Sequence, residues 1–154
     1  MESPETTARV ALAADHGGVR YKNRIAEMLR TSGYTVTDFG VDTTESADYP
    51  DYARAAAEAV GTGEADLGII VCGSGIGVSI VANKSRGVRA ANCQSAEMAR
   101  LARQHNHANV LTLGERLVDW PTAVEIIETF LATPPDADER HTRRVEKIHS
   151  LTGR

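Results

Sequence analysis

The period of the apolar positions changes along the chain, and each change marks an element. Arg9–Asp15 (RVALAAD) is a short continuous apolar run, the pattern of a buried strand. Tyr21, Ile25, Met28 and Leu29 then recur at spacings of three and four, which predicts an amphipathic helix closed by Gly33. Tyr34–Gly40 (YTVTDFG) reads as a second strand. Pro50 and Asp51 open an alanine-rich helix that ends near Gly61 and Gly63. Asp66–Cys72 (DLGIIVC) is apolar and β-branched, the type of strand covered on both faces of a parallel sheet. A helix is expected to begin within the following glycine run and to continue through Ile80, Val81 and Lys84. Val88–Asn92, a helix around Met98 and Leu101, and Asn109–Gly114 complete five β units. Asp119–Pro121 starts a helix through Ile126, Ile127 and Phe130. After the break at Pro134–Asp136, a basic helix runs from about Ala137 to Ser150.

Strands alternating with helices predict an α/β, Rossmann-like three-layer fold: a five-stranded parallel sheet with right-handed crossovers and helices on both faces. Ligands of such sheets bind beyond the carboxyl ends of the strands. Asp15–His16, Cys72–Gly77 and Cys93 all fall there. No repeat, long linker or low-complexity tract divides the chain, so residues 1–154 are expected to form one domain, with 1–8 a flexible N-terminal extension.

Composition narrows the function. A net charge of -4 and a pI of about 5.7 argue against a nucleic-acid partner, while a local arginine cluster can still hold a small anion. MESPETTARV lacks the basic and apolar regions of a signal peptide. Leu67–Asn83 carries no charge, but it is rich in Gly and Ser and falls short of the roughly 20 apolar residues of a membrane span. The expectation is a cytoplasmic protein with no membrane partner, in which Cys72 and Cys93 are reduced thiols rather than a disulfide.

Candidate chemistry begins at Cys72-Gly73-Ser74-Gly75-Ile76-Gly77. The spacing is not that of a dinucleotide fingerprint, a P-loop or a nucleophile elbow. A strand, a glycine turn and a helix start can aim several N–H groups at one oxyanion, or the glycines can serve only the dihedrals of a tight turn. A thiol at a helix N-terminus ionises readily and suits a carbon base or a nucleophile; the alternative for Cys72 is a small buried hydrophobe. Cys93 has no such turn and reads as structural. Asp15 and His16 can exchange protons with a sugar hydroxyl or bind phosphate, or Asp15 can cap the next helix. His105-Asn106-His107 lacks a third ligand at metal spacing, so no metal site is expected. Arg140 and Arg144, four apart, share a helix face that can grip phosphate or can be a solvated basic face balanced by Asp138, Glu139 and Glu146.

Taken together these motifs resemble the ribose-5-phosphate isomerase B family, which shares its fold with the galactose-6-phosphate isomerase subunits. The resemblance spans about Arg9 to Ser150. It rests on A-D-H-G-G (Ala14–Gly18), D-Y-P-D-Y-A (Asp48–Ala53), C-G-S-G-I-G (Cys72–Gly77), A-N-K (Ala82–Lys84), R-Q-H-N (Arg103–Asn106) and R-H-x-x-R-V (Arg140–Val145). The resemblance implies aldose–ketose isomerisation of a sugar phosphate in the pentose phosphate pathway, with no cofactor. It implies that Cys72 moves a proton between C1 and C2; some relatives instead use a glutamate six residues on, where this chain has Val78. The amides of Gly73, Ser74, Gly75, Ile76 and Gly77 would hold the enediolate, with Ser74 the hydroxyl residue of the motif. Asp15 and His105 would open the furanose ring. His16, Arg116, Arg140 and Arg144 would hold the phosphate, and Tyr49 and Asn106 would line the sugar. It also implies a homodimer or a dimer of dimers with shared sites: His105, Asn106 and Arg116 come from the partner, and the C-terminal helix extends to it. The chain departs from the family pattern at Asn92, where an apolar strand residue is expected, and in the acidic stretch Asp136–Glu139 beside the arginines.

Overall fold

The computed structural model describes residues 8–154, so of the expected extension only Ala8 is included. The elements alternate as the apolar pattern predicts. They are β1 (Arg9–Ala14), α1 (Val19–Thr31), β2 (Thr35–Asp38), α2 (Tyr49–Gly61), β3 (Leu67–Cys72), α3 (Ile76–Asn83), β4 (Ala90–Asn92), α4 (Ala96–Asn106), β5 (Val110–Gly114), α5 (Trp120–Ala132) and α6 (Glu139–Thr152). All strand pairs are parallel, in the order β2-β1-β3-β5-β4. The chain reverses its direction across the sheet between β1 and β3, the kind of switch point where α/β sheets place ligands.

Alternation along the strands divides the core in two. Val10, Leu12, Ile69, Val71, Leu111 and Leu113 meet α1, α4 and α5 through Ile25, Leu29, Ala99, Ile126, Ile127 and Phe130. Ala11, Ala13, Ile70 and Cys72 face α2 and α3, whose contributions are mostly alanines: Ala53, Ala56, Ala57 and Ala82. Such small residues let α2 lie close against the sheet. Aspartates cap the two last helices. Asp119 accepts from Thr122 N–H at 2.9 Å, and Asp138 from Arg140 N–H at 2.8 Å, so α6 starts at Glu139 rather than Ala137. The fourth strand is shorter than the apolar run Val88–Asn92 because the Arg89 N–H bonds the Asn109 side chain at 2.8 Å.

Candidate active site

Register places Cys72 opposite Gly114 and Ala14 opposite Val71, so β1, β3 and β5 deliver Asp15, Cys72 and Arg116 to one edge of the sheet. After Cys72 the chain must turn sharply into α3, and Gly75 does so at φ 78, a left-handed conformation that favours glycine. A Cβ there would also lie 2.3 Å from Asn92 Oδ1. The turn folds back on the thiol: Gly75 N–H donates to Cys72 Sγ at 3.1 Å. Cys72 is 5% exposed. Ser74 Oγ accepts from Ile76 N–H at 3.2 Å, and Asn92 Nδ2 donates to the Ser74 carbonyl at 3.4 Å.

Four further groups surround the turn. Asp15 Oδ1 accepts from Gly17 N–H at 2.8 Å, tightening the β1–α1 turn without capping α1 itself. His16 Nδ1 accepts from Ala47 N–H at 3.0 Å; a nitrogen that accepts carries no proton, so Nε2 is left as the donor. The Tyr49 ring lies on Gly77, where a Cβ would come within 2.6 Å of it. Arg116 stands over Gly73, with Nη1 3.2 Å from the position of a Cβ there.

The remaining predicted residues lie elsewhere. The helix α4 descends from the carboxyl edge, so His105 and Asn106 end at the amino edge, beside the start of β5. The length of β3, at about 3.3 Å per residue, puts roughly 16 Å between the two edges. There the His105 ring stacks on His141 with centroids 4.3 Å apart, and the buried His141 has Nδ1 3.6 Å from Asp136 Oδ2. His107 turns away, its Nε2 paired with the Asp136 carbonyl at 3.0 Å. Arg140 and Arg144 are exposed on α6, and Arg140 approaches Asp138 at 3.7 Å. Arg89 and Arg103 tie this edge together by donating to carbonyls: Arg89 to His107 at 2.9 Å, Arg103 to Thr133 at 3.0 Å and to Ala108. Burial lowers the pKa of both guanidiniums. Cavities of about 520 and 610 Å³ flank the same region; Asn106 and His149 line the first, Arg103 and His107 the second, and Arg89 both.

Two expectations change. Arg116, expected from a partner, covers the glycine turn of its own chain, because it follows β5 directly at the carboxyl edge. The Gly73–Gly77 amides are not all free: those of Gly75 and Ile76 donate to Cys72 Sγ and Ser74 Oγ, the former inside the left-handed turn and the latter at its surface. Cys93 is buried in the other half of the core from Cys72, across the sheet, and burial pushes its thiol up to about 11. Both cysteines are unpaired. Among the described residues, no group of three or more His, Cys, Asp or Glu could hold a metal ion.

The motif reading missed His141, although it lies inside R-H-x-x-R-V, and it missed Lys22. Lys22 interrupts the apolar stripe of α1 at Ile25, Ala26 and Leu29, and a charge within such a stripe is a signal in itself.

Residues 10–148 match a family model described as Ribose/Galactose Isomerase. The chain is 41% identical over 146 residues to ribose-5-phosphate isomerase B of Escherichia coli, covering 95% of this chain and 97% of that protein. It is 43% identical over 123 residues to D-erythrulose-4-phosphate isomerase of Pectobacterium atrosepticum, covering 79% of this chain and 81% of the relative. Among solved structures, that of Clostridium thermocellum ribose-5-phosphate isomerase B superposes with a TM-score of 0.92 at 46% identity, over 94% of this chain and 97% of the other.

Proposed function

The chain belongs to the ribose/galactose isomerase family, and from that premise we propose that it interconverts D-ribose 5-phosphate and D-ribulose 5-phosphate with Cys72 as the base. The observation that carries this reading is the Cys72 sulfur, buried at the carboxyl edge with the Gly75 N–H aimed at it. An N–H so placed is the donor a thiolate accepts from. Cys72 takes the proton from C2 of the open aldose and returns it to C1, while the hydroxyl proton passes from O2 to O1. Between the two steps the substrate is a cis-enediolate, whose negative oxygens need preorganised donors. The Gly73, Ser74 and Gly77 amides and the Ser74 hydroxyl are the groups assigned to them, and one such donor is worth about 3–4 kcal/mol elsewhere. Asp15 and His105 move protons during ring opening. His16 through Nε2, with Arg116, Arg140 and Arg144, holds the phosphate, while Tyr49 and Asn106 line the sugar.

The reading requires two copies of the chain, because His105 and Cys72 of one copy lie at opposite edges of its sheet. In a homodimer, alone or paired again, the amino edge and C-terminal helix of one copy cover the carboxyl edge of the other. The exposed apolar side chains Tyr49, Ile76, Ile80 and Leu117 around the open edge support such a contact. The two unpaired cysteines suit a reducing cytoplasm.

A four-carbon substrate is the second reading, favoured by the 43% identity to the erythrulose-4-phosphate enzyme. Measuring kcat/KM on four-, five- and six-carbon sugar phosphates tests both: the expected order puts ribose 5-phosphate first. A higher value for tetrulose 4-phosphate replaces the first reading with the second.

A further inference from the structure

Lys22 has no exposed surface, although it is a lysine on the first turns of α1. An ammonium group so buried is stable only when it is paired and hydrogen-bonded. Its Nζ donates to Asp38 Oδ2 at the end of β2 and to Asp42 Oδ1 at 3.3 Å. Asp38 closes β2, and Asp42 lies in the connection between β2 and α2. Val41 is buried, but Asp42 to Ser46 are exposed, so little apolar burial holds that stretch in place.

From this ion pair, main-chain bonds lead directly into the site. Asp38 Oδ1 accepts from Gly40 N–H at 2.8 Å. The Gly40 carbonyl accepts from Ala14 N–H at 2.8 Å, and Val41 N–H returns a bond to the Ala14 carbonyl at 2.9 Å, one residue before Asp15. Further along, Ala47 N–H donates to His16 Nδ1, and the connection ends at Tyr49 on Gly77. One buried cation is thereby tied to the surroundings of Asp15, to the tautomer of His16 and to the placement of Tyr49.

We propose that Lys22 is a positioning residue of the isomerase site, an ionic latch that with Asp38 and Asp42 fixes residues 39–48 and through them His16 and Tyr49. The proposal rests on the reading that His16 and Tyr49 hold the sugar phosphate. Lys22 itself touches none of the reacting atoms. Releasing the latch therefore weakens substrate binding more than it slows the proton transfer at Cys72.

The test compares the wild-type protein with Lys22→Met and with the double variant Lys22→Met/Asp38→Leu. The double exchange replaces both partners of the pair by apolar groups, which buried sites tolerate better than one uncompensated charge. It keeps the question open to experiment if the single variant does not fold. The expected result is a KM for ribose 5-phosphate raised about tenfold with kcat changed less than about threefold, the signature of lost binding. In parallel, nitrogen chemical shifts of the His16 imidazole should report one Nε2–H tautomer in the wild type and a tautomer mixture in the folded variant. Unchanged imidazole signals in a folded variant overturn the latch, whatever the protein turns over. Changed signals with a wild-type KM overturn its role in the site. Because the imidazole readout needs no turnover, failure of the latch and failure of the isomerase reading are told apart.

Discussion

At the carboxyl edge of the sheet, Cys72, Asp15 and the glycine turn are buried or half-buried and bonded to their own backbone. At the amino edge, His105, Asn106, Arg140 and Arg144 reach into solvent from a helix end and a C-terminal helix. The first group is organised by a single chain, since strand register and one left-handed glycine suffice to place it. On the proposed reading the second acts only against a second copy. On that reading the difference divides the work: backbone amides and a thiol at the carboxyl edge serve the carbanion chemistry, while the exposed cationic and imidazole side chains of the amino edge join Asp15, His16 and Arg116 in capturing and opening the sugar. Preorganised donors cost little reorganisation during the reaction, whereas long side chains can close over a substrate that must first enter.

Removing the base at the preorganised edge should have the largest effect. Cys72→Ala is expected to lower kcat by about 10³- to 10⁴-fold, near the upper range for a lost general base, with phosphate affinity little changed. Wild-type kcat in this variant, measured on ribose 5-phosphate, would remove Cys72 from the mechanism.

His105→Ala should cost about 10²-fold by removing one participant in ring opening. Its greater value lies in mixing. If the two edges meet between copies, combining inactive Cys72→Ala and His105→Ala chains creates mixed dimers with one intact site. Random pairing then restores about a quarter of wild-type activity, since half of the dimers are mixed and each carries one of two sites. Mixtures that remain inactive after subunit exchange would break the assignment of the edges to different copies.

The arginines of α6 are expected to matter less. Arg144→Ala should raise KM about tenfold, or about 1.4 kcal/mol, with a smaller change in kcat, as for a contact remote from the reacting carbons. An unchanged KM would return Arg140 and Arg144 to the solvated face that charge balance alone allowed.

The same contrast explains what was legible in the chain. Periodicity sufficed for the five strands and their helices because the central strands β1, β3 and β5 are buried on both faces and the helices bury one apolar stripe each. At the carboxyl edge the motifs are contiguous, so Asp15-His16 and Cys72–Gly77 could be read as units. What stayed hidden depends on distance in three dimensions. Arg116 stands over Gly73 of its own chain because β5 runs beside β3, an adjacency outside the reach of any local motif. Asn92 broke an apolar pattern because its amide reaches the Ser74 carbonyl. Which amides face inward at Gly75 depends on a turn whose exact fold no spacing encodes. The stack of His105 on His141 joins two helices 36 positions apart, a contact no local motif announces.

The smallest effect on turnover should come from the other thiol, and it tests whether cysteine chemistry here is a matter of place. Cys93 also follows a strand at the carboxyl edge, but it is buried in the core half under α1, α4 and α5 and has no glycine turn beside it. Cys93→Ala should leave kcat/KM within about twofold, as expected for a group that makes no contact with substrate. Burial raises the Cys93 pKa from 9.0 to about 11, so the folded protein keeps this proton where the unfolded chain has lost it. By linkage, any stability this group contributes is complete below pH 9.0 and is lost as pH rises toward about 11. The Cys93→Ala variant should therefore show a flatter decline in Tm across that window than the wild type. Below it, alkylation by iodoacetamide in the folded protein should fall on Cys72, with Cys93 reacting only after unfolding. Rapid labelling of Cys93 in the folded protein would mean that both thiols are accessible to reagent, and that burial does not distinguish the reactive strand end from the inert one.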